Sequence, residues 1–186
     1  MRDDIGNKLV HLSKGSSDDP AKHRGEAAKN LVNILKEKSL RGGSGFIKGK
    51  HICVCFSEAP IGKLSQILAS KDPSGFKYQP YGVLVDKKWL FKQGGRPAIY
   101  GPDPDYAKLP EDMQYRHVRF WLSDEYNIDH TWEREWRIKT EALSISPKEV
   151  TIVVPDRAAK EAFVEHGFAE WHYIALSDLG VEISPL

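Results

Sequence analysis

Hydrophobic positions in this chain fall into short alternating or continuous runs, which read as strands, and into wider stripes, which read as helices. Lys8-Leu9-Val10-His11-Leu12 is the first strand candidate, and a polar stretch from Ser13 to Arg24 follows it. From Gly25 to Lys38 the apolar residues Ala27, Leu31, Ile34 and Leu35 recur at helical spacing and predict a helix. Arg41-Gly42-Gly43-Ser44-Gly45 reads as a mobile loop, and Ile52-Cys53-Val54-Cys55-Phe56 as the next strand. Gly62 to Ser70 reads as a short helix; Tyr81–Val85 and Pro97–Tyr100 read as strands, with a turn at Gly94-Gly95. The pattern predicts helix from Ala107 to Leu122, strand from Val150 to Pro155 and helix from Arg157 to His166 behind an Asp156 N-cap. Trp171 to Leu176 reads as the last strand. Many short strands with few helices between them predict an α+β fold, not a doubly wound sheet.

The stretch His130-Thr131-Trp132-Glu133-Arg134-Glu135-Trp136-Arg137-Ile138-Lys139 stands apart from that pattern. Read as a strand, it places Trp132, Arg134, Trp136 and Ile138 on one face and Glu133, Glu135, Arg137 and Lys139 on the other. Two carboxylates aimed the same way, about 7 Å apart by the strand repeat, are costly unless something uses them. A helix is the rival reading, because Glu133–Arg137 and Glu135–Lys139 are each four apart with the acid first. The β-branched run after the extended Ser144-Ile145-Ser146-Pro147 connection favours two strands joined by a loop.

A length of 186 residues suits one domain, 1–186, with a proper core. The formal net charge of +1 offers no global attraction to nucleic acid or an anionic membrane. No apolar run approaches the ~18 residues of a spanning helix, and no signal-type apolar core follows Met1-Arg2-Asp3-Asp4, so no membrane partner is expected. Cys53 and Cys55, two apart in a strand, point the same way and are poorly placed for a mutual disulfide, which fits a reducing cytoplasm.

Several familiar chemistries find no motif here. Gly42-Gly43-Ser44-Gly45 lacks the Gly-Lys-Ser/Thr of a phosphate-binding loop, and there is no Gly-x-Ser-x-Gly elbow. His51, Cys53 and Cys55 alternate onto one strand face, but a closed zinc site needs a fourth ligand and favours loop-borne pairs, so no metal is expected. Pro102-Asp103 before an acidic strand resembles the Pro-Asp…Glu-x-Lys nucleases. Here Arg137 stands at the lysine position of that motif, and Lys139 lies two residues beyond it.

The order of elements carries a wider resemblance. His11-Leu12-Ser13 closes the first strand, Asn30-Leu31-Val32-Asn33-Ile34-Leu35 lies in the helix, Val54-Cys55-Phe56-Ser57 ends the next motif strand, and Glu135-Trp136-Arg137-Ile138 comes late. This series resembles the ADP-ribosyltransferase superfamily, most nearly its DarT-like branch, and extends to AbiGi-like proteins of abortive phage infection. The resemblance implies a split β-sheet core with short helices and NAD as substrate. It also implies transfer of ADP-ribose to a protein or nucleic-acid acceptor by a toxin or phage-defence effector with a cognate antitoxin or toxin partner. A non-catalytic binding or antitoxin-like module of the same fold is the alternative.

By that resemblance, Glu135 is the catalytic carboxylate that stabilises an oxocarbenium-like ribose, and Glu133 engages the acceptor or pairs with Arg137. His11 and Ser13 hold NAD, Ser57 supports the site, Asn30 faces the nucleotide and Tyr100 stacks on nicotinamide. Arg41 and Lys48, flanking the glycine-rich loop, are placed to reach the pyrophosphate. One departure is clear: the DarT branch carries a catalytic arginine after its second motif strand, whereas this chain has Ser57-Glu58-Ala59-Pro60-Ile61-Gly62-Lys63 there. Lys63 is not equivalent to it.

Overall fold

The computed structural model describes residues 6–17, 19–58, 71–72, 75–76 and 78–181. In chain order the first half runs β1 (Lys8–Leu12), α1 (Pro20–Glu37), β2 (Ser39–Arg41), β3 (Cys53–Ser57), β4 (Lys71–Asp72), β5 (Gly75–Phe76), β6 (Gly82–Asp86) and α2 (Lys87–Lys92). Short strands β7 (Arg96–Pro97), β8 (Ile99–Gly101), β9 (His117–Arg119), β10 (Trp121–Leu122) and β11 (Asn127–Ile128) come next. The chain then forms β12 (Glu135–Lys139), β13 (Ala142–Ser144), β14 (Val150–Val154), α3 (Arg157–Phe163) and β15 (His172–Ala175). A large mixed sheet with few helices makes the fold α+β.

Seven strands build that sheet in the order β15-β14-β6-β1-β3-β12-β7. Only β14 and β15, joined through α3, pair in parallel within it. Pairing is uneven across the sheet. β1 matches β6 over five residues, from Lys8 opposite Asp86 to Leu12 opposite Gly82, and β12 matches β3 over five, from Glu135 opposite Ser57 to Lys139 opposite Cys53. Between these halves, β1 meets β3 at the single pair Val10–Ser57.

The alternation of side chains gives the sheet two different faces. Leu9, Val83, Val85, Val54, Phe56, Trp136 and Ile138 join Leu31 and Leu35 of α1 and Phe163 of α3 in the main core. Over the other face, Val10, Leu12, Leu84 and Val153 pack with Leu176 and Val181, while Cys53 packs with Ile47 and Tyr115. Gly82 lies where β1 and β6 press close together, since a Cβ there would sit 2.2 Å from the His11 carbonyl oxygen.

Three expected elements differ. α1 begins at Pro20, not Gly25: proline suits the first helical position, and the Asp19 carboxylate accepts the Lys22 N–H at 3.2 Å in the manner of an N-cap. The helix expected over Ala107–Leu122 is replaced by 3-10 turns and by β9 and β10. Pro110 falls inside the expected span and breaks a helix there, and β9 takes its hydrogen bonds from a parallel pairing with β8. The last helix becomes α3 plus a wider turn over Val164–Phe168, where Gly167 has φ 92°. The short helix expected over Gly62–Ser70, together with Lys63, lies outside the described residues.

Candidate active site at the start of β12

The two glutamates do not share a strand. Asp129 accepts the Thr131 backbone N–H at 2.8 Å and its hydroxyl at 2.6 Å, and this starts a 3-10 turn over Thr131–Glu133. Arg134 then adopts left-handed geometry, φ 45° and ψ 54°, so the strand begins at Glu135. Neither the strand alternation through Glu133 nor the rival helix over His130–Lys139 holds in this segment, because the left-handed residue interrupts both periodicities. The turn is pinned back onto β3: the Ser57 hydroxyl donates to the Glu133 carbonyl at 2.6 Å, and the Glu58 N–H donates to the Arg134 carbonyl at 3.2 Å.

Glu135 is anchored from three sides. Arg137, one pleat along the same face, donates from Nε to Oε1 at 2.8 Å and from Nη2 to Oε2 at 3.0 Å. The remaining Nη1 of Arg137 donates to the Tyr115 and His117 carbonyls, each at 2.9 Å, which fixes the guanidinium itself. Tyr100 accepts the Glu135 backbone N–H at its hydroxyl, 2.8 Å away. The Cys55 thiol is hydrogen-bonded to the Glu135 carboxylate. Arginine and carboxylate are both largely buried, 7% and 16% exposed at their side chains. The arginine that sequence reasoning offered to Glu133 is therefore held by Glu135.

Charge and burial act together around this carboxylate. The Tyr100 hydroxyl is pushed up to about 12, first by burial and also by the charges of Glu135 and Glu133. Burial, followed by Glu133 and Glu135, also raises the Tyr78 hydroxyl, and burial followed by Glu135 raises the Cys55 thiol. Glu133, Glu135, Tyr78, Tyr100, Cys55, Ser57 and Arg137 thus form one polar cluster on the sheet face opposite α1. Tyr78 and Cys55 were not singled out for this site from sequence. Cys55 had a readable signal, since its spacing of two from Ser57 puts both on one strand face. Tyr78 reaches the cluster through tertiary packing alone.

Behind the cluster, on the α1 face, Glu58 pairs with Lys87 and accepts the Trp136 indole N–H at 2.8 Å. This partly buried trio ties the end of β3 to the end of β6. The segment where the DarT branch places its arginine thus starts with an acid already matched by a lysine.

The other expected residues lie elsewhere. His11 alternates with Val10 and so faces α1, away from Ser57 and Glu135; its ring lies 5.7 Å from that of Phe56, and its Nδ1 meets the Cys55 carbonyl at 2.8 Å. Ser13 is buried with its hydroxyl unpartnered among the described residues. Asn30 donates to the Lys14 carbonyl at 2.8 Å, which fastens α1 to the loop after β1. Arg41 is engaged by Glu37 one helical turn back and stands opposite Ala142, beyond the far end of β12. Lys48 is engaged by Asp103, which also pairs with Arg119 at 3.2 Å. The carboxylate of the nuclease-like Pro-Asp pair is therefore matched by two cations, Lys48 and Arg119. Among the described residues no group of three or more His, Cys, Asp or Glu side chains is arranged to hold a metal ion.

A depression of about 450 Å³ lined by Tyr115, Ile138, Lys139 and Leu143 lies at the opposite end of β12 from Glu135. Among the described residues no helix is long and apolar enough to cross a membrane. No family model, curated protein or solved structure matches this chain.

Proposed function

We propose that this chain is an NAD-consuming ADP-ribosyltransferase, with Glu135 as the group that stabilises the transition state. The observation that carries the reading is the held carboxylate itself: Glu135 opens a strand beside the sheet's one-pair junction, with Ser57 opposite and both oxygens oriented by Arg137. Breaking the bond between ribose C1′ and the nicotinamide nitrogen sends the bonding electron pair to nicotinamide and leaves an oxocarbenium-like ribose. An ionised carboxylate that accepts the 2′-hydroxyl proton in a hydrogen bond interacts more strongly as this positive charge grows. The acceptor, a protein or nucleic-acid nucleophile, then bonds to C1′ and loses its proton. Biologically the reading is a toxin or phage-defence effector with a cognate antitoxin.

Two observations favour a second reading, a non-catalytic binding module of the same fold. His11 faces α1, away from Glu135, and Arg137 already occupies both Glu135 oxygens. NAD turnover separates the two. The enzyme releases nicotinamide in the presence of candidate protein or nucleic-acid acceptors, and Glu135→Gln abolishes release while circular dichroism stays unchanged. Wild-type protein that neither binds NAD nor releases nicotinamide with any such acceptor establishes the binding module.

A further inference from the structure

The loop after β1 is built like an anion site and is filled by the chain's own carboxylate. Ser16 N–H at 2.6 Å, Ser17 N–H at 3.1 Å and the Ser16 hydroxyl at 2.9 Å all donate to one oxygen, Glu26 Oε2. Two consecutive backbone N–H groups and a hydroxyl converging on one oxyanion form the kind of turn concavity that binds phosphates. Hydrogen bonding from the Ser16 N–H, the largest cause, pulls the Glu26 carboxyl below its ordinary range, so the occupant is an anion.

The donors are held from outside their contact with Glu26. Asn30 fixes the Lys14 carbonyl, the Ser13 N–H donates to the Tyr81 carbonyl at 2.7 Å, and the Gln79 N–H donates to the Ser13 carbonyl at 3.1 Å. Gly15 leaves no freedom on the helix side, since a Cβ there would lie 2.4 Å from the His23 carbonyl oxygen and 2.5 Å from His23 Cδ2. A cradle anchored this way keeps its donors aimed when the carboxylate leaves, which is the preorganisation an oxyanion site needs.

Two buried polar atoms beside it remain unused. His23 is 7% exposed, and its Nε2, next in the ring to the atom packed on Gly15, has no hydrogen-bond partner among the described residues. The Ser13 hydroxyl, two residues before Gly15, is likewise unpartnered. Buried polar groups left this way are rare and point to a partner that the fold expects.

We propose that the Gly15–Ser17 loop is a binding site for the phosphate group of a small molecule, held closed by Glu26 until a phosphate displaces it. A phosphate carries up to about two charges and three acceptor oxygens, against one charge and two oxygens for the carboxylate. It gives each donor its own oxygen. Glu26 reaches the cradle on a half-buried side chain that belongs to none of the core clusters, so its removal uncovers no core. The site is fastened to α1, whereas Glu135 lies on the opposite sheet face, and it does not depend on the transferase reading.

Amide-resolved magnetic resonance of the full chain, at constant ionic strength, tests the assignment with inorganic phosphate and ADP-ribose as probes. Saturable shifts of the Ser16 and Ser17 amides are expected in the wild type, with binding tightened roughly tenfold in Glu26→Gln because a competing charge is gone. Tighter binding of ADP-ribose assigns the site to a nucleotide phosphate; equal binding assigns it to free phosphate. Amides of Ser16 and Ser17 that stay unmoved by both probes in both proteins overturn the proposal, as do shifts that sodium chloride reproduces. If Glu26→Gln fails to fold, the wild-type titration alone decides. Glu135→Gln leaves the phosphate response intact, so a protein that binds phosphate without consuming NAD keeps this site and loses only the transferase reading.

Discussion

Arg137 grips Glu135 through both carboxylate oxygens from two residues along the same strand, Nε to Oε1 at 2.8 Å and Nη2 to Oε2 at 3.0 Å. The pair is largely buried, and the arginine spends its third nitrogen on two backbone carbonyls of the 115–117 segment. Breaking such a pair on one side is costly, because it strands a desolvated carboxylate. Arg137→Ala is expected to lower unfolding free energy by about 3–5 kcal/mol in urea titration. Combining it with Glu135→Gln should recover part of that loss, since the amide leaves no buried charge behind. A double-mutant cycle that closes additively refutes the coupling.

Tyr100 supports the same residue through its backbone. Its hydroxyl accepts the Glu135 N–H, so Tyr100→Phe leaves that amide without its acceptor and is expected to cost about 1–3 kcal/mol. The tyrosine also predicts an alkaline limit. Its ordinary pKa of 10.0 rises to about 12 in the fold, so between those values the unfolded chain has lost a proton that the folded chain keeps. Stability from this group is therefore complete below pH 10 and is lost as the pH climbs through about 12. Absorbance titration of phenolate should lose one late-titrating group in Tyr100→Phe, and the alkaline fall in melting temperature should become shallower.

The sequence made some of this site legible and hid the rest for identifiable reasons. β1, β3, β6 and β14 were readable because alternating or continuous apolar residues meet a sheet buried on one or both faces. The pairing of Glu135 with Arg137 was implicit in the strand period of two. The turn before it was also written locally, in Asp129-x-Thr131, whose side chain–backbone bonds compete with strand geometry. Whether His11 faces Glu135 depends instead on the register between β1 and β3, where a slip of one residue reverses every side chain. Nothing local specifies that register. The parallel pairing of β8 with β9 is equally non-local, and it replaced the helix expected over Ala107–Leu122.

Gly82 gives a direct test of the close pairing that carries β1. A methyl group there would lie 2.2 Å from the His11 carbonyl oxygen and 2.9 Å from Leu12 Cα, both backbone atoms that cannot rotate aside. Gly82→Ala must push β1 and β6 apart, and overpacking of this kind costs about 1–3 kcal/mol. Hydrogen exchange should rise at the β1 amides, while those of the β13–β2 pair stay protected. Unchanged exchange in β1 would contradict the tight register.

Cys55 can report the charge on Glu135 without any assumption about catalysis. Burial is the main force raising its thiol pKa, and the neighbouring Glu135 carboxylate raises it further both by charge and by accepting the thiol hydrogen bond. The reactive species in alkylation is the thiolate, so Cys55 should react slowly with iodoacetamide in the folded wild type. Glu135→Gln removes the negative charge and leaves burial in place, so its Cys55 should alkylate faster, with the pH–rate curve displaced downwards. Cys53 separates this effect from general loosening. It is the more buried cysteine, and its thiol is raised first by burial; the Arg137 cation opposes that rise, and Glu135 adds to it by less than Arg137 takes away. Peptide-resolved alkylation should therefore show Cys55 accelerating well ahead of Cys53. Equal acceleration at both would mean that the substitution opens the sheet, and no change at Cys55 would mean that Glu135 carries no charge there.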